Sequence, residues 1–421
     1  MAFGKGWTNG FGEAVVVEAG LDLPCVTVEI GLGDDPFAPS PSWVPLVGVM
    51  SVTVEHAQVG QLDEYGPGTL SVSLDNTSGD FTPGDGDMLA PNQQIRVVVE
   101  HSTGNVVLFR GFVDDDPEVF YQRWTARAEV SATNLVKLLS GVRLPPGEWP
   151  EEWMSWRIER ALDAVGVPSQ WRQINATPHH LCPAETIVGG DVSVWDYITD
   201  VARSEGGAVF VSKSGHVVFQ ERQSIRTDAY RRYVAATFSD DQAYAAGTRY
   251  SAPTWGRHGR MVRNRAVFSD LGGDKTVHED SASVVAFGAR DLDRMADLKV
   301  RSAANAENLV EWNIAQWGQP HTFGPSLTLN VVRTDDTVTD QAITRGLRDR
   351  VRYVHLTPDG SRHDEEVFVE MIATTIDPRS DKPWVTELGF SPAARFDFTD
   401  PDDWSVLGDG QTLGDAKVLA P

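Results

Sequence analysis

The chain has 421 residues, of which 41% are hydrophobic and 23% are charged. This composition is that of a folded globular protein, and the length predicts two to four domains because single cores rarely grow beyond about 300 residues. The 60 acidic residues outnumber the 36 basic ones, which gives a net charge of −24. That charge excludes a protein that binds DNA through a broad basic face, but it is compatible with a channel that repels DNA. The 38 glycines, 24 prolines and 13 tryptophans favour β structure with many turns.

The two cysteines, Cys25 and Cys182, are too few for a disulfide framework or a structural zinc site, so we expect two free thiols. The first residues, MAFGKGWTNGFGE, lack the apolar core of a signal peptide, and no uninterrupted run of about 18 apolar residues occurs. We therefore expect a protein made in the cytoplasm, with no membrane insertion of its own.

Residues 1–145 are predicted to form an N-terminal β-barrel or sandwich unit. Short apolar or alternating runs with turns between them are typical of such folds. The predicted strands are Ala14–Val17, Cys25–Ile30, Val49–Glu55, Thr69–Asp75, Ile95–Glu100, Val106–Val113 and Trp124–Ala132.

The stretch TLSVSLDNTSGDFTPGD, Thr69–Asp85, combines one of these strands with a long turn-rich loop. Leu70, Val72 and Leu74 alternate with polar residues, which predicts a half-buried strand. Phe81 is the one large apolar residue of the loop. Turn chemistry alone predicts a β-hairpin loop that is held by this aromatic side chain.

Residues 146–235 are predicted to form a small α+β domain with two helices and a hairpin. Apolar residues at i, i+3, i+4 and i+7 from Ile158 predict the first helix, which a glycine and a proline end. The second helix is predicted from the N-cap Ser193 to Gly206-Gly207. The hairpin follows and turns at Lys213-Ser214-Gly215.

Residues 236–322 are predicted to form a mixed connecting domain with a strand at Val262–Phe268 and the longest helix at Asp291–Trp317. A basic cluster lies in this region, and two interpretations are open: contact with phosphate, or pairing with carboxylates. The acidic chain favours the second. The cluster comprises Arg257, Arg260, Arg263 and Arg265.

Residues 323–393 are predicted to form a second β-barrel unit, with strands at Leu327–Val331, Val351–Leu356, Val367–Met371 and Val385–Phe390. Its end resembles the end of the first unit. Each end contains Asp-Pro, then Trp, then a strand that closes on Ser: Asp116-Pro117, Trp124 and Ser131 in the first unit, Asp377-Pro378, Trp384 and Ser391 in the second. The overall prediction is an α+β, mainly β fold with two related β units that flank an α+β middle.

Three stretches resemble minor tail proteins that form the tail-tip or baseplate hub of long-tailed phages of actinobacteria. They are LDNTSGDFTPGD after the strand that begins at Thr69, GGAVFVSKSGHVVFQER from Gly206 to Arg222, and WSVLGDGQTLG from Trp404 to Gly414. They occur in the expected order and span most of the chain.

The resemblance implies a structural virion protein that is assembled in the host cytoplasm and located at the phage tail tip. It implies a homotrimer that adapts a six-fold tail tube to a three-fold tip and lines the channel for genome ejection. The implied partners are distal tail or tail-tube ring proteins, the tape-measure protein, and tip fibre or spike proteins. DNA would pass without specific binding, past a lumen with more acidic than basic residues.

Residues 394–421 are predicted to form an extended C-terminal arm, because their apolar residues fit neither a helix nor an alternating strand. An arm that docks on another subunit or tip protein and an arm that folds back on its own chain are both open. The candidate partner contacts of the chain are Phe81, Trp404, Leu407 and Leu413.

The sequence contains no Gly-x-Ser-x-Gly elbow, His-Glu-x-x-His motif, phosphate-binding loop or EF-hand spacing. His179-His180 with Cys182 offers metal ligands without a placed fourth one. The acidic runs Asp114–Asp116 and Glu151-Glu152 are more typical of solvated faces than of a glycosidase pair. We therefore expect no catalytic residue, metal or cofactor.

A carbohydrate-binding receptor-recognition protein or a cell-wall-hydrolysing tail protein is the alternative function. Exposed tryptophans stack on sugar rings, but tryptophans at subunit contacts have the same sequence pattern. The candidates are Trp7, Trp43, Trp149, Trp153 and Trp156.

Overall fold

The structure is a computed structural model that describes residues 23–393 apart from positions 34, 39, 58–63, 83–88, 103, 116–117, 123–124, 176–179, 223, 225–232, 242–246, 254 and 332–335. The predicted strand at 14–17 and the predicted arm at 394–421 lie outside the described residues.

The described strands are β1 (Val26–Leu32), β2 (Ser42–Pro45), β3 (Val49–Ala57), β4 (Thr69–Asp75), β5 (Gln94–Val99), β6 (Val106–Val113), β7 (Glu118–Gln122), β8 (Thr125–Thr133), β9 (Gly147–Trp149), β10 (Glu152–Trp153), β11 (Arg172–Ile174), β12 (Leu181–Cys182), β13 (Glu185–Ile187), β14 (Ala208–Val211), β15 (Val217–Gln220), β16 (Ala236–Ser239), β17 (Gly256–His258), β18 (Arg265–Phe268), β19 (Thr276–Glu279), β20 (Asp291–Leu292), β21 (His321–Phe323), β22 (Ser326–Asn330), β23 (Arg350–Leu356), β24 (Arg362–Ile376) and β25 (Trp384–Pro392). The described α-helices are α1 (Val136–Gly141), α2 (Met154–Ala164), α3 (Val194–Glu205), α4 (Ser281–Phe287), α5 (Ala303–Trp317) and α6 (Asp336–Thr344).

One 13-stranded sheet dominates the molecule, which confirms the prediction of a mainly β fold. Its order is β16-β23-β24-β3-β4-β8-β6-β5-β1-β2, while β7 pairs with β8 and β25 pairs with both β24 and β22. The pairing is antiparallel except between β16 and β23. One apolar core runs along the strands from both the N-terminal and the C-terminal parts of the chain.

Period-two patterns located most strands of this sheet. β6 has the predicted bounds, and β1, β3, β5, β8, β22, β23 and β25 differ from prediction by about two residues at most. β24 extends well beyond the predicted Val367–Met371, since its polar first half pairs with β23. The predicted helix at Asp291–Trp317 begins only at Ala303, because Asp291 and Leu292 pair with β18 as β20.

A bulge in β24 joins the two ends of the chain into one sheet. Residues 362–368 pair with β23, residues 371–376 pair with β3, and the other edge pairs with β25. The register shifts between Val369 and Met371, which leaves Glu370 as the extra residue. Glu370 is 4% exposed; Ser391 Oγ donates to its Oε1 at 2.5 Å, and the Tyr65 hydroxyl donates to its Oε2.

The strands of the second β unit repeat the pairing of the first. β4 pairs with β8, and the other edge of β8 pairs with β7 and β6, which in turn pairs with β5. In the same way β22 pairs with β25, the other edge of β25 pairs with β24, and β24 pairs with β23. The end of β6, where Phe112 and Val113 pair with β8, and the whole of β7 therefore correspond to successive parts of the single long strand β24.

The register is repeated as well as the order. In the pairs β4–β8 and β22–β25, Leu74 faces Ala128 and Leu327 faces Leu388. One residue further along β8 and β25, Glu129 faces Glu118 of β7 and Gly389 faces Met371 of β24. Ser131 and Ser391, predicted from the sequence to correspond, both lie in the last strand of their unit. Asp377-Pro378 follows β24, whereas Asp116-Pro117 and Trp124 lie outside the described residues, so this part of the correspondence stays a prediction.

β17 is the counterpart of β3. Gly256 faces Phe323 in β21, and Ser251 faces Thr328 in β22. Ser251 precedes Gly256 by as many residues as Thr328 follows Phe323. One antiparallel register therefore connects β17 with β21 and β22, as β3 pairs with β4. The segment 259–320, with β18, β19, α4, β20 and α5, lies between the two halves of this pair in the chain.

The middle of the chain has its own core, to which α2, α3, α5 and β15 contribute. Ser193 is the N-cap of α3 as predicted, since its Oγ accepts the Asp196 backbone N–H at 3.1 Å. The β14–β15 hairpin turns at the predicted residues. Its tip touches both β units: Lys213 Nζ donates to the Ile343 carbonyl in α6 at 2.6 Å, and Gly215 lies against Arg110 of β6.

Within the described residues, no helix is long and apolar enough to cross a membrane. α5 is the longest of the described helices, with 15 residues. Gly318 follows it, as the sequence predicts.

Gly206→Ala should destabilise the protein more than Gly166→Ala. Both glycines have φ of +75°, so alanine costs about 1–3 kcal/mol at either position. A Cβ at Gly206 would in addition lie 2.8 Å from Leu309 Cδ1, whereas a Cβ at Gly166 meets nothing within 4 Å. Thermal unfolding of the two variants measures the difference. Equal losses would contradict the close packing of α3 on α5.

Candidate functional site

The unpaired strand edges are the sites in this structure best suited to assembly. Among the described residues, β7 pairs only with β8, and β17 pairs only with β21. The outer edge of each strand presents backbone N–H and C=O groups that another strand can pair with. Neither strand was predicted from the sequence, because β17 has three residues and β7 follows a run of aspartates.

Phe81 lies against the chain's own core. It is 8% exposed and belongs to the core of the large sheet. Its backbone N–H donates to Asn76 Oδ1 at 2.9 Å, and Asn76 itself is 1% exposed. Phe81 therefore holds the loop on the core as predicted. The prediction of a β-hairpin loop is wrong, because β4 pairs with β3 and β8, whereas β5 pairs with β1 and β6. Trp404, Leu407 and Leu413 lie outside the described residues, and the four partner contacts stay predictions.

A buried guanidinium holds the middle of the chain together. Arg157 is fully buried and donates to Glu152 Oε1 at 2.7 Å, to the Tyr197 hydroxyl at 3.0 Å and to the Pro150 carbonyl at 2.6 Å. Glu152 also accepts two hydrogen bonds from Arg160, each at 2.8 Å. Burial alone raises the pKa of Glu152, but the hydrogen bonds from Arg160 and Arg157 hold it below its usual value. The carboxylate is therefore ionised and fully engaged.

Arg157→Met should lower the free energy of unfolding by about 3–5 kcal/mol, because it removes one hydrogen bond from the buried Glu152 carboxylate and leaves the Tyr197 hydroxyl and the Pro150 carbonyl without the Arg157 donor. Arg160→Met is the matched control: its side chain is 44% exposed and binds the same carboxylate, so its loss should cost about 1 kcal/mol or less. Urea unfolding of both variants measures the two losses. Similar small losses would show that Arg157 is dispensable.

A second buried cluster joins the end of α3 to the segment that follows β15. Glu205 is 3% exposed, and its Oε2 accepts the Arg222 backbone N–H at 2.7 Å. The Arg222 guanidinium lies 5.1 Å from the Trp312 ring centroid, and its Nη2 is 2.7 Å from His180 Nε2. Burial raises the pKa of Glu205 to about 8, against the opposing effect of Arg222. Glu205 is therefore protonated at neutral pH.

The contribution of Glu205 to the stability of the protein should fall as the pH rises from about 4.5 to 8. An unfolded Glu205 ionises near its ordinary value of 4.5, whereas the folded one keeps its proton to about 8. The contribution of Glu205 is thus complete below pH 4.5 and is lost as pH rises through 8, at about 1.4 kcal/mol per pH unit. Glu205→Gln should remove this slope in urea unfolding at several pH values.

Glu151→Gln is the control for this pH series. Glu151 is 44% exposed and pairs with Arg301 at 3.7 Å, so its loss should leave the slope unchanged. Parallel stability curves for wild type and Glu205→Gln would contradict the raised pKa.

One arginine of the basic cluster is paired with a carboxylate as predicted. Arg265 binds Asp291 through two hydrogen bonds, at 2.6 and 2.9 Å. Arg263 donates to the carbonyls of Arg260 and Val262, and Arg257 is exposed on β17. The preferred interpretation therefore holds for Arg265.

The tryptophans proposed for sugar stacking are mostly covered by the protein itself. Trp149 is 8% exposed and packs edge-on against Tyr197, and Trp43 lies 4.1 Å beneath the Arg96 guanidinium. Trp156 is 54% exposed on α2, beside an open groove of about 640 Å³ with mostly acidic and polar lining. Trp153 is half-buried, and Trp7 lies outside the described residues.

Described residues of both acidic runs form ion pairs, while Asp116 and His179 lie outside the described residues. Lys137 Nζ contacts Asp115 at 3.1 Å, and Glu151 and Glu152 bind arginines. Cys182 is a buried free thiol whose pKa burial raises to about 11. Cys25 is also free, as predicted.

In the described part of the chain, one group has donor atoms close enough to share a metal ion, all within 4.8 Å of one another. It joins His278 of β19 to two carboxylates one helical turn apart on α5, Glu307 and Glu311. Both carboxylates are exposed, and His278 Nδ1 lies 3.8 Å from Glu311 Oε1, which also fits an ordinary surface ion pair.

Solved structures with a similar fold include two tail proteins and a VgrG complex. The tail protein from Neisseria meningitidis MC58 matches with a TM-score of 0.58 and 11% identity, over 88% of this chain and 97% of that one. The 43 kDa tail protein of prophage MuSo2 from Shewanella oneidensis matches with a TM-score of 0.56 and 14% identity, over 88% and 99%. The Francisella PdpA–VgrG complex in its half-lidded form matches with a TM-score of 0.50 and 12% identity, over 89% and 59%.

No protein-family model and no curated protein sequence matches the chain. The likeness is therefore one of fold, and it extends over nearly the whole length of the two tail proteins.

Proposed function

We propose that this protein is a structural component of a phage tail tip, the hub that joins the tail tube to the tip. The observation that carries the proposal is a fold shared with two phage tail proteins over almost their full lengths. The three sequence stretches that resemble tail-tip hub proteins of actinobacterial phages support the same role. No enzymatic step is part of the proposal.

The repeated β unit supports a trimer. Each chain has two units with the same strand order. A ring of three chains would therefore contain six similar units. Such a ring can contact a six-fold tube on one side and a three-fold tip on the other. Its partners would be the tube ring and tape-measure proteins above, and fibre or spike proteins below.

The charge of the chain supports passage of DNA without binding. With a net charge of −24, the ring would not retain a polyanion by counterion release. Among the four arginines between positions 257 and 265, Arg265 is neutralised by Asp291. The C-terminal arm, residues 394–421, would dock on a neighbouring subunit or tip protein.

The carbohydrate-binding alternative has weaker support. Trp156 is the most exposed of the described candidate tryptophans, and the groove beside it contains Glu159 and Asp163. Glu159 and Asp163 both pair with Arg172, at 2.6 and 2.8 Å. The groove is therefore better explained as a charged surface that stabilises the start of β11.

The purified chain should form a ring of three copies. Light scattering should give about three times the chain mass of 46.1 kDa, and cryo-electron microscopy should show three-fold rings with six similar β units. A ring of six chains, or a chain that is monomeric both alone and on assembled tails, would contradict the proposed hub.

A further inference from the structure

We propose that neighbouring subunits of this ring join by antiparallel pairing of β7 of one chain with β17 of the next. The inference rests on the proposed trimer and specifies the contact that closes it. It follows from a pairing that the structure already contains within a single chain.

The contact between the two β units inside one chain is a strand pair. β3 of the first unit pairs with the second half of β24 of the second unit, in the register Met371 with Ala57 through Ile376 with Val52. The first unit thus supplies a strand from its β3–β4 pair. The second unit supplies the segment that lies beside its last strand, β25.

Each of these two strands has a counterpart in the other unit. The counterpart of the second half of β24 is β7, because β7 pairs with β8 as β24 pairs with β25. The counterpart of β3 is β17, because β17 pairs with β21 as β3 pairs with β4. Among the residues that the structure describes, the outer edges of both counterparts pair with no strand. The chain therefore carries both halves of a second unit-to-unit contact, and these halves remain unused within one chain.

The intrachain register fixes the interchain one. Glu118 of β7 corresponds to Met371 of β24, because they face Glu129 of β8 and Gly389 of β25, which correspond to each other. Gly256 takes the place of Val54, since these residues face Phe323 and Leu70 in corresponding strands. Because Val54 faces Thr374, the resulting pairs are Val119 with His258, Phe120 with Arg257, Tyr121 with Gly256 and Gln122 with Trp255.

The physical reason to expect this pairing is the cost of bare strand edges. β7 has five residues and β17 has three, and an exposed strand edge is a template for uncontrolled association unless a specific partner covers it. β7 and β17 are different edges, so the contact is head-to-tail, and such contacts form a closed ring when the rotation per subunit allows. Every unit in the ring would then contact the next through the same kind of strand pair.

Disulfide trapping in the full chain tests the register. Two variants place cysteines in register, Val119→Cys with His258→Cys and Phe120→Cys with Arg257→Cys. Facing residues alternate between a wider and a closer spacing, so one of the two pairs has the spacing that a disulfide needs. Both carry Cys25→Ser, while the buried Cys182 is kept.

The matched controls are Val119→Cys with Arg257→Cys and Phe120→Cys with His258→Cys. They use the same four positions one residue out of register, where the side chains are on opposite faces. After mild oxidation, at least one in-register variant should shift on a non-reducing gel from 46.1 kDa to about three times that mass, through a two-chain species and no further. The controls should remain single chains. Mixing two singly substituted chains should give only the two-chain species.

The outcomes separate this inference from the proposed function. Trimers without in-register cross-links overturn the β7–β17 contact and leave the hub intact. In-register cross-links that extend beyond three chains support the contact and overturn the trimer. Cross-links of equal yield in the control variants, or a chain that stays monomeric and unlinked at the highest reachable concentration, overturn the contact. Thermal unfolding of each variant confirms that the cysteines leave the fold intact.

Discussion

The shared use of one edge of β24 by two strands is the constraint on which the large sheet depends. β23 occupies the first part of that edge and β3 the second, and the bulge at Glu370 lies at the change between them. A buried carboxylate is costly unless its oxygens are hydrogen-bonded. Ser391 and Tyr65 supply those bonds from the neighbouring strand and from the β3–β4 connection. Glu370 thus connects the bulge to the two segments on either side of it.

The middle of the chain stabilises this sheet from one side. Tyr65 packs on Phe210 with ring centroids 5.2 Å apart, and the tip of the same hairpin reaches both α6 and β6. The Arg157 and Glu205 clusters hold the helices that carry this hairpin. In the proposed hub, the two β units would keep a fixed angle while contacts are transmitted between tube and tip. The buried, hydrogen-bonded clusters of the middle of the chain would contribute to that rigidity.

Local signals in the sequence were reliable where one element is specified by its own residues. Alternation located β4 and β8, and the N-cap Ser193 and the glycines at 206 and 207 located α3. The strands of two or three residues, such as β10, β12 and β17, were missed because runs that short carry no period. The start of α5 was misplaced, since the pairing of Asp291 and Leu292 with β18 is a tertiary contact that overrides a helical pattern.

The sequence by itself determined a mainly β chain, its helix caps, its free cysteines and a resemblance to tail-tip proteins, because these depend on residue type and spacing within about 20 residues. Only the tertiary structure decided that the two β units share one sheet, that their registers repeat, and that β17 corresponds to β3 across an insertion. The pairing of Val54 with Thr374 joins residues that no local pattern relates. Within the described residues, the unpaired edges of β7 and β17 likewise follow from which strands pair in the folded chain, and no local pattern specifies that.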